Sequence, residues 1–191
     1  MSGLPFSGNG GSTVVALPGQ PPPSEREPAV LSLAVSPAYF ETVGIPLLRG
    51  RTFVEGDGPD APSVILVNQV MAERYWPGED PVGKRVDLPE AKASATVVGV
   101  VGNARQFTMG ETLAPQLYTS YAQNPGIFAT LVARTAVEPV SLAEALRGAV
   151  WSVDADQPVW KIRTVESLIE RDLATARGVM ALMTVFGLVA L

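Results

Sequence analysis

The chain ends in an apolar run, Val179 to Leu191, that carries no charge and a single hydroxyl group. As a helix this run reaches about 20 Å at ~1.5 Å per residue, whereas a bilayer core needs about 30 Å and some 20 residues. We therefore expect the first part of a transmembrane helix that the sequence does not complete. The alternative is a buried helix of a globular core, which runs of this length also form. A core helix normally keeps one polar face, which favours the membrane interpretation.

The residue types that the chain lacks narrow its chemistry. Its 191 residues include no histidine and no cysteine, so disulfides, thiol nucleophiles, ordinary zinc sites and a Ser-His-Asp relay are excluded. Fourteen basic residues against nineteen acidic ones leave a net charge of −5. Because this charge repels a phosphate backbone, we expect no nucleic-acid partner. We also expect no catalytic, cofactor-binding or metal-binding residues.

The first part of the chain predicts a loop followed by a β-α-β unit. Residues Met1 to Pro28 are rich in Gly, Ser and Pro and predict a loop with one possible edge strand at Val14 to Leu17. Ser36 is a typical helix cap and Gly44 a typical helix end. The strand, the short helix and the extended segment of the unit are predicted at Ala29 to Val35, Pro37 to Val43 and Ile45 to Phe53.

The middle of the chain is predicted to be mostly β-structure. A loop of Gly, Asp and Pro precedes Ser63 to Val67, a strand of the buried type. Asn68 is placed to cap a helix that ends at Trp76. Further strands are predicted at Val82 to Leu88, Ala95 to Val101 and Gln116 to Tyr121.

A second β-α-β unit is predicted after this middle part, which gives an α+β fold class. Its strands are expected at Phe128 to Arg134 and Val159 to Ile162. Between them, Ser141 and Glu144 have the spacing of a capping box. The helix that follows has an apolar stripe predicted to pack on a sheet, formed by Leu142, Ala145, Leu146, Ala149, Val150 and Val153. Thr164 is expected to cap a last helix that leads into the terminal apolar run.

Two loops carry patterns of known binding sites, and both have simpler explanations. Gly78 to Arg85 nearly matches a phosphate-binding loop, but Arg85 replaces the hydroxyl that would hold magnesium. Glu55, Asp57 and Asp60 offer oxygen ligands for calcium without the spacing of an EF-hand loop. Solvated turn carboxylates are the favoured interpretation, because Asp is common in turns for its own backbone hydrogen bonds.

Arginine and tryptophan residues give two further candidates. Arg49 and Arg51 could bind an anion, but a turn with solvated or ion-paired arginines is the favoured interpretation. Trp76, Trp151 and Trp160 could form a sugar-binding platform. Trp76 and Trp151 lie near the ends of apolar helices, so they are more simply explained as core anchors.

Five segments, in order along the chain, resemble one protein family. They are Val35 to Phe53 (VSPAYFETVGIPLLRGRTF), Val67-Asn68, Tyr75 to Arg85 (YWPGEDPVGKR), Val97 to Gly102 (VVGVVG) and Leu117 to Gln123 (LYTSYAQ). They look like the extracytoplasmic core of MacB-type ABC transporter permeases, and the similarity runs from about Leu4 to Leu191. The segments also resemble those of large permeases that combine this core with FtsX-like membrane segments.

The resemblance implies a two-part extracytoplasmic domain. Residues 1–53 and 124–176 would form a porter-like subdomain of β-α-β units, and residues 54–123 an inserted, β-rich, sabre-like subdomain. Residues 177–191 would begin the second transmembrane helix of the family. The turns near Phe53 and Gln123 would join the two parts and act as hinges.

The resemblance also implies a non-catalytic protein that relays movements driven by a separate cytoplasmic ABC ATPase to export or envelope processes. The expected partners are that ATPase, the remaining membrane helices of the full-length permease and a second copy in a dimer. The C-terminal segment would enter the bacterial inner membrane, with most of the chain on its extracytoplasmic side. Arg171 and Arg177 argue against this orientation, because positive flanks tend to stay in the cytoplasm. The alternative function is a small soluble α+β enzyme or ligand-binding domain with a buried C-terminal helix.

Overall fold

A computed structural model of the protein describes residues 11–19, 29–89, 93–105, 112–126, 129–170 and 173–174. The chain divides into two compact units, Met1–Val132 and Ala133–Leu191. The first unit contains a sheet and two short helices, and the second is helical where it has regular structure.

The first unit is built on a mixed seven-stranded sheet. Its strands are β1 (Gly11–Thr13), β2 (Val30–Val35), β3 (Leu47–Gly50), β4 (Val64–Asn68), β5 (Arg85–Leu88), β6 (Ala93–Val101) and β7 (Gln116–Ser120). The strand order is β1-β2-β7-β4-β6-β3, and β5 also pairs with β6. The pairs β2–β7 and β4–β6 are parallel and the others antiparallel. Two helices accompany the sheet, α1 (Tyr39–Val43) and α2 (Gln69–Tyr75).

Both faces of the sheet are covered, and the central strand β4 shows this directly. All five of its residues are buried, which is typical of a strand with apolar layers on both sides. Ile65 belongs to the first core, which includes Met71 of α2, and Leu66 belongs to the second core, which includes Phe40 of α1. Successive side chains of a strand point to opposite faces, so the first unit has three layers: α1, the sheet and α2.

Most predicted elements of the first unit are confirmed. The strands at residues 30–35, 64–68, 85–88, 93–101 and 116–120 lie where the apolar pattern indicated them, as does the helix after Asn68. Helix α1 begins at Tyr39, two residues later than predicted, and Ser36 contributes its backbone carbonyl to Tyr39 N at 3.1 Å instead of a side-chain cap. The predicted edge strand near Val14 is a single bridge between Ala16 and Asp87, and the strand β1 precedes it.

The sheet takes strands from both parts of the predicted subdomain division. β2 and β3 lie before residue 54, whereas their partners β7 and β6 lie between residues 54 and 123. These strands share one sheet within the first unit. The division into porter-like and sabre-like subdomains, and the hinges between them, stay predictions.

The second unit differs from the predicted β-α-β pattern. A 3-10 turn, Pro139–Leu142, leads into α3 (Ala143–Val153), and residues 165–170 are helical. Residues 129–134 and 159–162 are not strands. At the second of these sites Lys161 adopts a φ of 60°, a left-handed conformation that interrupts an extended chain.

The helix caps of the second unit were predicted with mixed success. The capping box is wrong: the 3-10 turn occupies this position, and Ser141 Oγ donates to Glu138 O at 2.7 Å. Thr164 is confirmed as a cap, because its Oγ1 accepts from Ser167 N at 3.1 Å. The apolar stripe on α3 contains no fully buried residue, and the described part of the second unit has no strand on which it could pack.

Among the residues that the structure describes, no helix has both the length and the hydropathy needed to cross a bilayer. The predicted transmembrane segment, residues 177–191, lies outside the described residues.

Candidate functional site

The loop between β3 and β4 is held by an ion pair at its start. Asp57 Oδ2 accepts from Arg51 Nη1 at 2.7 Å, and Asp57 Oδ1 accepts from Arg51 Nη2 at 2.9 Å. Asp57 Oδ2 also accepts from the backbone N of Val54 at 2.9 Å. Only 6 % of Asp57 is exposed. A bidentate ion pair of this kind fixes both the position and the orientation of the loop.

The electrostatics of this pair follow from its geometry. The hydrogen bonds from Arg51 lower the pKa of the Asp57 carboxyl below its usual value, and burial opposes them. The same pair raises the pKa of Arg51. The favoured interpretation of an ion-paired arginine is therefore correct for Arg51, whereas Asp57 is not the solvated turn carboxylate that the sequence suggested. Glu55 and Asp60 are exposed.

A second set of hydrogen bonds ties the end of this loop to the end of β7. Gln123 Oε1 accepts from Val64 N at 3.2 Å, and Gln123 Nε2 lies 3.0 Å from Pro62 O. Ser120 Oγ donates to Asp57 O at 3.0 Å. We call the set Arg51, Asp57, Ser120 and Gln123 the loop clasp. Three of its members lie in two of the segments that carry the family resemblance, Arg51 in the first and Ser120 and Gln123 in the last, and Asp57 lies in the loop that they hold.

A buried polar hub lies at the other end of β4. Asn68 is fully buried, and its Oδ1 accepts from Met71 N at 2.9 Å and from Gln116 N at 3.0 Å. Its Nδ2 donates to Ala114 O at 2.9 Å. The predicted helix cap is thus confirmed, and the same side chain also joins β7 to β4. Each of these contacts satisfies a polar group that would be costly to bury alone.

The hub continues into the second core through Gln116. This residue accepts from Tyr118 Oη at 2.7 Å and donates to Ala104 O at 2.7 Å. Burial raises the pKa values of Tyr118 and Tyr39 far above the ordinary tyrosine value. Both phenols therefore stay neutral, and the rings of Tyr39, Phe40 and Tyr118 pack at centroid distances between 5.0 and 6.4 Å.

Two glycines allow β3 to approach β6 closely. Gly50 and Gly99 are register partners, and Gly50 has a φ of +72°. A Cβ atom on Gly99 would lie 2.4 Å from Arg51 O, and one on Gly50 would lie 2.3 Å from Val98 O. The backbones of β3 and β6 therefore leave no room for a side chain at Gly50 or Gly99.

An open cleft of about 530 Å³ is lined by aromatic and charged side chains, among them Tyr75, Trp76, Glu79, Lys84 and Arg85. Lys84 pairs with Glu79 of the same loop, so the lysine of the near-phosphate-loop pattern is engaged within the protein. Trp76 is 6 % exposed and belongs to the first core, as predicted. The cleft therefore has a mixed aromatic and charged lining in which the charged pair Lys84 and Glu79 is already satisfied.

The remaining candidates are not gathered into one site. Trp151 and Trp160 are 47 % and 55 % exposed, so Trp151 is not the core anchor that the sequence suggested. Arg49 Nη1 lies 4.0 Å from Asp80, with both side chains exposed. Within the described ranges, no three acidic residues are grouped so as to hold a metal ion. The polar side chains brought together by the fold bind backbone groups and one another, which is a structural use of polar residues.

A family model described as the MacB-like periplasmic core domain matches residues 9–150. No curated protein matches the chain. Among solved structures, the periplasmic region of MacB from Actinobacillus actinomycetemcomitans is 18 % identical, with a TM-score of 0.55 over 75 % of this chain. The chain spans 64 % of that structure's length. At this identity the likeness shows a common fold.

Two further solved structures are similar. A domain of an inferred permease protein from Porphyromonas gingivalis is 19 % identical, with a TM-score of 0.48 over 81 % of this chain and 75 % of its own. The extracellular domain of the ABC-type transporter YknZ from Gram-positive bacteria is 16 % identical, with a TM-score of 0.47 over 73 % of this chain and 65 % of its own.

Proposed function

Since the chain belongs to the family of MacB-like periplasmic core domains, we propose that it is a non-catalytic relay between a membrane-embedded permease and the space outside the cytoplasm. The family resemblance expected from the sequence is confirmed. The family belongs to ABC transporter permeases that work with an ATPase. In this protein the relay carries movements driven by a separate cytoplasmic ATPase to export or to another process of the cell envelope.

The observation that supports a mechanical role is the covered sheet with its clasped loop. The sheet of the first unit is buried on both faces, and its β3–β4 loop is held by side chains from two distant segments. A close-packed body of this kind transmits a displacement instead of deforming. The polar side chains of the clasp and the hub bind backbone groups and one another, which supports a scaffold and not a reaction centre.

The path of the movement follows from the order of the chain. The first unit is joined to the second near residue 132, and the second leads to the helix that Thr164 caps. We place the apolar run at Val179 to Leu191 in the inner membrane, where it begins a helix of the permease. The remaining membrane helices, the ATPase and a second copy of the permease complete the assembly.

Labelling of an introduced cysteine tests the orientation. The chain has no cysteine, and Glu55 is exposed, so Glu55→Cys gives a reporter in the full-length permease. A membrane-impermeant maleimide should label it in cells whose outer membrane alone is permeable. The control is the same variant in lysed cells, which should be labelled to the same extent. Labelling only after lysis would contradict the extracytoplasmic assignment.

A substitution before the apolar run tests the coupling. From Thr164 to Leu191 the sequence contains no proline and two glycines, Gly178 just before the apolar run and Gly187 within it. Gly178→Pro in the full-length permease should separate ATP hydrolysis from the phenotype that depends on the permease, because proline interrupts a helix. Gly178→Ala, which supports a helix, is the control. Unchanged function of the proline variant at equal protein level would reject the relay.

A further inference from the structure

The chain leaves the sheet of the first unit after Ser120, and this exit is bonded on both sides. Toward β2, Tyr121 N donates to Val35 O at 2.9 Å. Toward β4, the side chain of Gln123 accepts from Val64 N at 3.2 Å. β7 is thus bonded to its neighbours beyond its last strand residue on each side.

The amide nitrogen of Gln123 binds the β3–β4 loop. Nε2 lies 3.2 Å from Gly58 O, 3.3 Å from Ala61 O and 3.0 Å from Pro62 O. A primary amide has two hydrogens and a carbonyl oxygen, so one side chain serves both kinds of backbone group. The three carbonyls are concentrated around a single donor that lies 61 to 65 residues away in sequence.

The geometry makes the Gln123 contacts a continuation of the sheet. β7 and β4 run antiparallel, with Thr119 opposite Ile65. Val64, which precedes Ile65 and is the first residue of β4, donates its backbone N–H to the Gln123 side chain. The contacts between β7 and β4 thus extend beyond the paired residues. Ser120 then binds Asp57 O, and Asp57 binds Arg51 at the end of β3. One connected set of bonds therefore joins the exit of β7 to β4, to the loop and to β3.

We propose that Gln123 is a mechanical latch, which makes the exit of β7 and the β3–β4 loop move as one body. This inference rests on the proposed relay function, because a latch matters where displacement enters through the segment that links the two units. Without the latch, a displacement at residue 124 would peel β7 from β2 and β4 one pair at a time from the Ser120 end. With it, the displacement is shared among the bonds to Val64, to the loop and to Val35, which must break together.

Amide hydrogen exchange on the full chain tests the latch. In Gln123→Ala the amides of Val64, Asp57 and Ala61 should exchange about tenfold faster or more, because two or more net hydrogen bonds are lost. The amides of helix α2, which the Asn68 hub holds, should keep their rates. Gln69→Ala is the matched control, since Gln69 donates only to Glu73 on the exposed side of α2, and it should leave the loop unchanged.

The isosteric variant Gln123→Glu separates the latch from a loss of packing. It keeps the size and the acceptor for Val64 but replaces the donor with an oxygen that faces three carbonyls. Its loop amides should exchange faster than those of the unmodified chain at neutral pH. The difference should shrink below about pH 4, where the carboxyl takes up a proton and regains a donor.

Two results would overturn the latch: unchanged loop exchange in both variants, or an equal increase in the loop and in α2, which would show a global loss of stability. These measurements need neither the membrane nor the ATPase. The exchange measurements therefore test the latch alone, and the Gly178 experiment tests the relay alone. A negative result in one does not change the result of the other.

Discussion

Asp57 accepts hydrogen bonds from both terminal guanidinium nitrogens of Arg51, at 2.7 and 2.9 Å, although the two residues are six positions apart in a segment without regular structure. The pair is partly open to solvent on its arginine side, where 46 % of the side chain is exposed. It fixes the loop by polar contacts, so its contribution depends on the charge of Asp57.

Asp57→Asn should reduce the stability of the chain at neutral pH by about 1–2 kcal/mol, since a charge-assisted pair is lost and its exposed side weakens it. The lowered pKa of Asp57 determines the direction in which this stabilisation changes with pH. The stabilisation is complete above the unfolded value of about 4 and is lost as the pH falls through the lower folded value. The free energies of unfolding of the two proteins should therefore converge in acid. Urea titrations at several pH values measure this. Asp60→Asn, at an exposed acid of the same loop, is the control and should leave the free energy of unfolding at neutral pH nearly unchanged.

Asn68→Ala should be among the most damaging polar substitutions in the first unit. It removes the cap of α2 and leaves Gln116 N without its acceptor inside the core. We expect a loss of about 3 kcal/mol from the combined cap and hydrogen-bond terms. The midpoint of urea unfolding followed by circular dichroism measures it. Asn124→Ala, at an exposed position after β7, is the control, and an equal effect of the two would contradict the hub.

Gly99→Ala should separate β3 from β6. The added methyl would meet Arg51 O at 2.4 Å and Arg49 O at 2.9 Å, and backbone atoms held in a sheet cannot give way without loss of pairing. We expect a destabilisation of about 2–4 kcal/mol and faster exchange of the Arg51 amide, which donates to Val98 O. Gly58→Ala, where the methyl would meet nothing within 4 Å, should be close to neutral. A tolerated Gly99→Ala would show that β3 can shift freely.

The three tryptophans should differ in their access to solvent. Trp76 is 6 % exposed, whereas Trp151 and Trp160 are 47 % and 55 % exposed. In variants that keep one tryptophan and carry phenylalanine at the other two positions, acrylamide should quench Trp151 and Trp160 several times more strongly than Trp76. Equal quenching would contradict the assignment of Trp76 to the first core. The fully unfolded chain in urea provides the reference in which all three are alike.

Local pattern was sufficient for most elements of the first unit and for the helices at 143–153 and 165–170 of the second, but it failed for the strands predicted to flank them. The strand at 64–68 and the cap at Asn68 are encoded within a few residues, by an apolar run and by an amide that reaches three residues ahead. The segment 159–162 has equally suitable strand residues, yet Lys161 takes a left-handed conformation. Strand propensity describes the fit to a partner strand, and the described part of the second unit offers none.

The candidate site was less accessible to sequence reasoning than the fold. Local sequence pattern assigns Arg51 to a candidate anion-binding site and Asp57 to a candidate calcium site, although the two residues bind each other. Gln123 was identified only as the last residue of a resembling segment and as a hinge position. Its partners lie 59 to 65 residues away, and no local pattern connects residues at that distance.

The sequence by itself determined most elements of the first unit, the exclusion of thiol and histidine chemistry, and the family, because these depend on residue types and on their short-range spacing. Only the tertiary structure decided the strand order, the clasp of Arg51, Asp57, Ser120 and Gln123, and the triple use of Asn68. The reason is physical: a polar side chain in a folded core binds whichever backbone group the packing brings within about 3 Å. That choice is made by how the strands are arranged, which the spacing of residues along the chain does not specify.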